Sequence, residues 1–268
     1  MIKLIASDMD GTLLNDRKEL PVDFFEVFNE LERRGIKFTV ASGRSFDAVA
    51  HLFPEEYRTR LDFICDNGAN VIHEGKQVSV TPLDRQTFEQ LIRACEDIGG
   101  LRVLVCAGRG TYHLTADAEF SAEIAKYYKN HIPCDDLLSV DDVIYKLAVC
   151  DMKGTQQHAK PAIDAIFGDR LNVQVSGPIW MDVMGAGVSK GSALRALGKH
   201  LGISAEDTMA FCDFYNDADM LKYSGWSFAM ENGNPDIKRM TRFLARSNNE
   251  NGVLRAIRQY ALQEDSIK

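Results

Sequence analysis

Acidic and polar side chains that could hold a metal ion and a phosphoryl group follow several short apolar runs of this sequence. Asp8 and Asp10 come directly after the run 3–7, and Ser42 follows the run 36–41. The other members of this set are Asn67 after 62–65, the group Asp213, Asn216 and Asp217 after 208–212, and Lys190 at the start of a helical pattern. Because ligands bind beyond the carboxyl ends of the strands in an open parallel sheet, we expect these side chains to share one rim.

The residue types in this set predict a particular chemistry. Several carboxylates on one rim would repel one another strongly unless a divalent cation neutralised them. Oxygen ligands without His or Cys favour Mg²⁺ over zinc. A Mg²⁺ site beside the Lys190 ammonium and the Ser42 hydroxyl is suited to binding a phosphoryl group.

The elements that must position these residues predict an α/β fold with a parallel-sheet core and an insertion. Both ends of the chain alternate apolar strands with helical patterns, which indicates a parallel sheet covered on both faces. Between them, hairpin-like strands and helices indicate α+β material with antiparallel features. We therefore predict a discontinuous core over 1–83 and 185–268 and an inserted domain over 84–184. We expect the insertion to act as a cap that selects the substrate.

Composition excludes several other classes of protein. The 268 residues include 31 Lys and Arg and 39 Asp and Glu, a formal net charge of −8. This balance argues against a nucleic-acid coat and against binding to anionic membranes. No apolar run approaches the ~20 residues of a transmembrane helix, and Asp8 interrupts any leader sequence. The six cysteines form no CxxC pair, which is typical of a reducing compartment. The expectation is a cytoplasmic protein with no evident obligate protein partner.

The motifs, taken together, identify a resemblance. They are Asp8-Met9-Asp10-Gly11-Thr12-Leu13, Ala41-Ser42-Gly43-Arg44, Asn67-Gly68-Ala69, Val188-Ser189-Lys190-Gly191 and Asp213-Phe214-Tyr215-Asn216-Asp217, followed by Ala229-Met230 and Asn251-Gly252-Val253. In order and spacing they resemble the haloacid dehalogenase-like superfamily, in its Cof-type branch with a large inserted cap. The resemblance implies a Rossmann-like core and Mg²⁺-dependent hydrolysis of phosphomonoesters through an aspartyl-phosphate. It implies a small phosphorylated metabolite as the substrate, with sugar phosphates the expected class.

The same resemblance implies a role for each matching residue. Asp8 corresponds to the nucleophile and Asp10 to the general acid and base, while Ser42 and Lys190 complete the catalytic set. The implied metal ligands are Asp8, the Asp10 backbone carbonyl and Asp213, with Asn216 and Asp217 close by. The implied substrate-binding residues are Thr12, Ser42, Gly43, Asn67, Lys190 and Asn216.

The sequence departs from the family pattern at two places. Cys212 stands where the family usually has Gly before the metal Asp, and Glu231-Asn232-Gly233 replaces a usual Gly-Asn-Ala. We expect Cys212 to pack as a small hydrophobic residue.

A phosphomutase or phosphotransferase would use the same intermediate, but such an enzyme must exclude water from its active site, and no sequence feature indicates that exclusion. A receiver-like phosphoprotein is disfavoured by Asp10 and by the insertion.

Overall fold

The computed structural model describes residues 1–115, 120–121, 124, 128 and 130–263. It divides into two compact units. The first comprises Met1–Gly43, Phe53–Ser79 and Ser189–Lys268, and the second comprises Arg44–Leu52 and Val80–Val188. The predicted insertion, 84–184, falls inside the second unit, which also includes 44–52. Every residue of the predicted site belongs to the first unit.

The first unit is built on an eight-stranded sheet with the order β14-β13-β12-β1-β2-β3-β4-β5. Pairing is parallel from β14 through to β3 and antiparallel between β3 and β4. Strands β1 and β12 are buried along their whole length, because helices cover both faces of the sheet. The predicted α/β class with a parallel-sheet core is therefore confirmed. In chain order the strands are β1 Leu4–Asp8, β2 Lys37–Ala41, β3 Asp62–Cys65, β4 Asn70–His73, β5 Lys76–Val80, β12 Thr208–Cys212, β13 Trp226–Met230 and β14 Phe243–Ala245.

The helices of this unit follow the apolar periodicity of the sequence. Helix α1 buries Phe24, Val27, Phe28 and Leu31, whose spacing of three and four residues places them on one face. Helix α6 begins with a reciprocal cap between Ser189 and Ser192 and ends at the left-handed Gly202. The described helices are α1 Phe24–Arg33, α3 Glu55–Arg58, α6 Lys190–Leu201, α7 Ala218–Tyr223, α8 Pro235–Met240 and α9 Gly252–Ala256, which continues as a π-helical turn over Ile257–Ala261.

The second unit has a six-stranded sheet with the order β10-β11-β9-β6-β7-β8. Its pairs are antiparallel except for β7 and β8. Alternate residues of β9 and β11, such as Leu147, Val149, Met181 and Val183, form one apolar core with helices α4 and α5. The strands are β6 Leu101–Ala107, β7 Gly110–Leu114, β8 His131–Cys134, β9 Ile144–Asp151, β10 Leu171–Val175 and β11 Trp180–Gly185; the helices are α2 Phe46–Ala50, α4 Arg85–Ile98 and α5 Ala159–Phe167.

Three elements differ from the sequence expectations. Strands β4 and β5 were not predicted; they are joined by a tight turn in which Glu74 and Gly75 both have positive φ, 48° and 73°. That geometry suits a two-residue hairpin, but Glu-Gly is a weaker signal for it than Asn-Gly. Strand β8 was also not predicted. The helix expected between Thr115 and Val143 falls largely outside the described residues. No helix in the described ranges combines the length and apolar character needed to cross a membrane.

Candidate active site

The first element of the site is the carboxyl end of β1, the strand that lies between β12 and β2. Asp8 ends this strand opposite Ala41 of β2, so its side chain emerges beside the loop that carries Ser42. Ser7 pairs with Phe211 of β12, which brings the Cys212–Asp213 segment to the other side of Asp8. Parallel register between neighbouring strands thus places three separate motifs at one sheet edge.

Three carboxylates meet at this edge. One oxygen atom each of Asp8, Asp213 and Asp217 lies within 4.8 Å of the other two. Lys190 Nζ donates to Asp8 Oδ1 at 2.5 Å and to Asp217 Oδ1 at 2.6 Å. The Lys190 and Asp217 side chains are only 1% and 0% exposed, so these contacts are shielded from solvent. The predicted residues Asp8, Lys190, Asp213 and Asp217 are therefore brought together.

Glycines allow the surrounding segments to approach the carboxylates. A Cβ at Gly11, where φ is +83°, would lie 2.5 Å from Asp213 Oδ2. A Cβ at Gly68, where φ is +102°, would lie 2.2 Å from the Ser189 carbonyl oxygen. Only glycine fits these positions, because both the left-handed backbone and the close approach exclude a side chain. The Gly68 contact fixes the loop after β3 against the start of helix α6, from which Lys190 extends.

The charges of this cluster are unbalanced without a cation. Burial, and then the charge of Asp8, raises the pKa of Asp213 and of Asp217 from 3.8 to about 7. Burial alone would lower the pKa of Lys190, but the charges of Asp217 and Asp8 outweigh it and raise that pKa. The three carboxylates share a single ammonium group, so the ammonium keeps its proton, and burial of the excess negative charge favours the protonated form of Asp213 and Asp217.

The donor set fits a small divalent cation. Asp217 Oδ2 is buried with no hydrogen-bond partner, so its lone pairs are unused. All three contributing groups are carboxylates, the hard oxygen ligands that Mg²⁺ prefers. Thr12 Oγ1 donates to Asp213 Oδ1 at 3.2 Å, which leaves Asp213 Oδ2 on the side of Gly11. Asp8, Asp213 and Asp217 are thus the residues that could hold the metal.

The Asp10 carboxylate is not one of the three carboxylates of this cluster. Lys18 Nζ donates to Asp10 Oδ1 at 2.8 Å, and the Asp10 side chain is 37% exposed. Lys18 has a left-handed φ of 63°. Its loop is held by Asn15 Oδ1, which accepts hydrogen bonds from the backbone N–H groups of Arg17 and Glu19. Sequence analysis missed Lys18, because a lysine in a charged loop gives no signal of its partner.

Ser42, Gly43 and Asn67 lie together at the ends of β2 and β3. The Ser42 N–H donates to the Ile64 carbonyl, and the Asn67 N–H donates to the Ser42 carbonyl at 3.1 Å. Ser42 and Asn67 are buried. A Cβ at Gly43 would lie 2.9 Å from Asn67 Oδ1, so the Asn67 amide sits against the Gly43 backbone. Their predicted contacts with a phosphoryl group remain predictions.

The segment 212–217 closes the other side of the site. Cys212 is fully buried and packs in the core cluster with Leu194, Met220 and Ala229, as a small hydrophobic residue would. Burial raises the pKa of its thiol well above the usual value, which makes it an inert group. Asn216 is half-buried in the 3₁₀ turn Tyr215–Asp217. Asn232 Nδ2 donates to the Gly11 carbonyl at 2.7 Å, a contact that sequence analysis did not anticipate.

Four side chains of the second unit are of types that could contact a leaving group or serve in packing: Tyr112, His113, Lys146 and Trp180. Within that unit, Lys146 Nζ forms a buried ion pair with Asp182 at 2.8 Å. Tyr112 Oη donates to Asp142 at 3.0 Å, and Trp180 stacks on Phe120 with ring centroids 5.9 Å apart. His113 Nε2 lies 3.1 Å from His131 Nδ1. Each therefore has a structural partner in its own unit.

Comparison with known proteins shows the family. A family model described as haloacid dehalogenase-like hydrolase matches residues 5–257. The chain belongs to the haloacid dehalogenase-like hydrolases. It is 30% identical over 258 residues to a 5-amino-6-(5-phospho-D-ribitylamino)uracil phosphatase of Escherichia coli, covering 96% of this chain and 95% of that protein. An HMP-PP phosphatase of Klebsiella pneumoniae is 28% identical over 239 residues, covering 89% and 87% of the two chains.

A solved structure shares the fold of this chain. A crystal structure of a Streptococcus mutans protein superposes with a TM-score of 0.88 at 26% identity, covering 98% of this haloacid dehalogenase-like hydrolase and all of the other chain. The predicted family and the predicted reaction class, phosphoric monoester hydrolysis, are thereby confirmed.

Proposed function

We propose that this chain is a Mg²⁺-dependent phosphatase that hydrolyses phosphomonoesters of small metabolites, sugar phosphates among them, through an aspartyl-phosphate on Asp8. The observation that carries the proposal is the buried cluster of Asp8, Asp213 and Asp217 around Lys190. Such a cluster is costly to bury unless it serves a bound charge. A divalent cation is a charge of the required kind, and its positive charge attracts a phosphoryl group in turn.

Asp8 is the group that attacks phosphorus. Its carboxylate ends a fully buried strand, and Lys190 Nζ holds one of its oxygens at 2.5 Å, so its orientation is fixed before substrate arrives. The bond from phosphorus to the leaving oxygen breaks as the Asp8 oxygen bonds to phosphorus. Mg²⁺, when bound by Asp8, Asp213 and Asp217, supplies positive charge to the phosphoryl oxygens. The Lys190 ammonium adds to that stabilisation.

Asp10 moves the protons of both steps. Its protonated carboxyl gives a proton to the departing alcohol oxygen, and the resulting carboxylate then takes a proton from the water that hydrolyses the Asp8 phosphate. The Asp10 side chain is partly exposed and its ion pair with Lys18 lies at the surface, so the pair costs little to break. In this proposal Ser42 and Asn67, which follow strands β2 and β3, donate hydrogen bonds to phosphoryl oxygens.

The relatives support the substrate class. The Escherichia coli relative is named for a phosphorylated ribityl compound and the Klebsiella relative for HMP-PP, both small metabolites. The chain's excess of acidic residues also disfavours extended polyanions such as nucleic acid.

Substitution of Asp8 tests the proposal. We expect Asp8→Asn to retain the fold and to lose more than 95% of the turnover of p-nitrophenyl phosphate and of a panel of phosphometabolites, about the loss that follows removal of a nucleophile. Acid-quenched wild-type protein should carry an acyl phosphate on Asp8, detected by mass spectrometry, and excess chelator should abolish turnover. Asp219→Asn, an exposed carboxylate in helix α7, is the matched control. Substantial turnover by Asp8→Asn, or full activity in chelator, would contradict the mechanism.

A further inference from the structure

Two asparagines beyond the carboxyl ends of β13 and β14 contact the loop that follows Asp8. Asn232 lies in the turn after β13, and Asn248 begins the 3₁₀ turn Asn248–Glu250 after β14. Strand β12 separates both of these strands from β1 in the sheet. The loop 9–16 therefore extends from the end of β1 past the end of β12 to reach the two asparagines.

Asn232 is bonded both to the loop 9–16 and to Asn248. Its Nδ2 donates to the Gly11 carbonyl at 2.7 Å. Its Oδ1 accepts from the Asn248 N–H at 3.0 Å. Because one end of the amide donates and the other accepts, the two contacts fix the direction of the side chain. Gly11 packs against Asp213, so the Asn232 contact holds the loop against a proposed metal ligand.

Asn248 holds the same loop further along the chain. Its side chain is buried, with 2% exposure. Asn248 Nδ2 donates to the Leu14 carbonyl at 3.0 Å and to Asp16 Oδ1 at 3.1 Å, so both amide protons are used. Leu14 in turn forms an isolated β-bridge with Asp10. The two asparagines thus bind the backbone that follows Asp10, at Gly11, and the backbone that is paired with it, at Leu14.

The turn that carries Asn248 is ordered by its own backbone contacts. The Gly252 N–H donates to the Ser247 carbonyl at 3.1 Å, which closes the turn. Asn251 has a left-handed φ of 57°, a conformation that asparagine tolerates. A Cβ at Gly252 would lie 1.9 Å from the Arg246 carbonyl oxygen, so only glycine fits there. The Asn251-Gly252 motif, which has no role in the proposed chemistry, therefore shapes the turn that presents Asn248.

We propose that Asn232 and Asn248 are positioning residues that set the Asp10 carboxyl for proton transfer. The inference rests on the proposed function, in which Asp10 protonates the departing alcohol. The Asp10 side chain is 37% exposed and its ion pair with Lys18 lies at the surface, so packing restrains it little. Its place is set by its backbone, which the two asparagines hold. Proton transfer needs hydrogen-bond distance to the leaving oxygen, and a displacement of about 1 Å can cost about 100-fold in rate.

The leaving group of the substrate tests this role. Asn232 is the residue to change, because its side chain is exposed and its replacement opens no cavity in the core. We expect Asn232→Ala to lower kcat/KM about tenfold for ribose 5-phosphate, whose alkyl oxygen must be protonated as it leaves, and less than about threefold for p-nitrophenyl phosphate. Asn232→Asp keeps the shape and the acceptor oxygen but lacks the donor, and it should give the same pattern. Asn29→Asp, at an exposed asparagine of helix α1, is the control and should change neither value.

A double variant tests whether Asn232 acts through Asp10. Asn232→Ala added to Asp10→Asn should leave the ratio of the two kcat/KM values unchanged, because that background already lacks the carboxyl that Asn232 positions. A further change of the ratio in the double variant would overturn the inference. An equal loss on both substrates in Asn232→Ala alone would also overturn it, because a merely structural role affects both substrates alike.

Hydrogen exchange separates this inference from the proposed function. Exchange followed by mass spectrometry measures the order of the loop 9–16 without turnover. Asn232→Ala should raise the exchange rate of peptides that cover this loop by about fivefold or more, while the rest of the first unit exchanges as in wild type. Unchanged exchange overturns the role of the asparagines and leaves the phosphatase intact. If Asp10→Asn itself loses activity equally on both substrates, the acid role of Asp10 in the proposed function fails, and this inference fails with it.

Discussion

Replacing Asp217 with asparagine should stabilise the metal-free protein at alkaline pH and abolish its stabilisation by Mg²⁺. Asp217 is fully buried, one of its oxygens accepts from Lys190 at 2.6 Å, and the other has no hydrogen-bond partner. Asparagine keeps the shape and an oxygen for Lys190. It removes the charge that the cluster cannot balance without a cation, and its NH₂ group can donate to a neighbouring carboxylate.

The size of the effect follows from the pKa of Asp217, which burial and the charge of Asp8 raise from 3.8 to about 7. This is about three pH units at about 1.4 kcal/mol each, so ionising the carboxyl in the folded state costs about 4 kcal/mol. Because Asp213 titrates together with Asp217, about half of this, roughly 2 kcal/mol, belongs to Asp217. A carboxyl with a raised folded pKa makes the protein lose stability as pH rises from about 4 to about 7.

Urea unfolding followed by circular dichroism measures the effect. In chelator at about pH 8.5, we expect the free energy of unfolding of Asp217→Asn to exceed that of wild type by about 2 kcal/mol. At about pH 5 the two proteins should differ by less than ~1 kcal/mol, because the wild-type carboxyl is then protonated in the folded state. Excess Mg²⁺ should stabilise wild type and have little effect on the variant.

A surface carboxylate provides the control for this experiment. Asp219, two residues further along the chain, has a side chain that is 58% exposed. Asp219→Asn should change the free energy of unfolding by no more than about 0.5 kcal/mol at either pH. If metal-free Asp217→Asn were less stable than wild type at alkaline pH, the cluster would not carry excess negative charge, and the assignment of the metal ligands would fail.

Three further predictions concern the same site. Lys190→Met should destabilise the metal-free protein by about 3–5 kcal/mol in urea unfolding, because it leaves three buried carboxylates without their ammonium partner. It should also lower kcat by about 100-fold, whereas Lys199→Met, at an exposed residue of the same helix, should do neither. Mg²⁺ affinity measured by calorimetry should fall about fivefold between about pH 7 and pH 6. Burial and the charge of Asp8 raise the pKa of Asp213 to about 7, so a proton competes with the cation over this range. An affinity independent of pH would be inconsistent with this site. Asp10→Asn should slow hydrolysis of alkyl phosphates more than that of p-nitrophenyl phosphate in steady-state assays, since p-nitrophenolate leaves without a proton. Equal losses on both substrates would remove Asp10 from the acid role.

The parallel core and the residues at its strand ends could be predicted because their signals are local. An apolar run bounded by polar residues indicates a buried strand. The residue that follows such a run can be read directly from the sequence, without knowing which distant segments pack against it. Strands β3 and β12 were predicted with the bounds that the structure shows. Strands β4, β5 and β8 were not, because their turns and edge positions carry weak propensity and are decided by pairing with neighbours.

Sequence by itself determined which residue types stand at the carboxyl ends of the core strands, and with them the family and the reaction class. Only the tertiary structure decided how those residues meet. Asp8 and Lys190 are 182 positions apart, and Thr12 and Asp213 are 201 apart, so their contacts depend on sheet order and on the packing of helix α6. The pairing of Asp10 with Lys18 likewise depends on backbone conformation. Side-chain direction and partner choice follow from packing and charge across the folded chain, and no local pattern of residues encodes them.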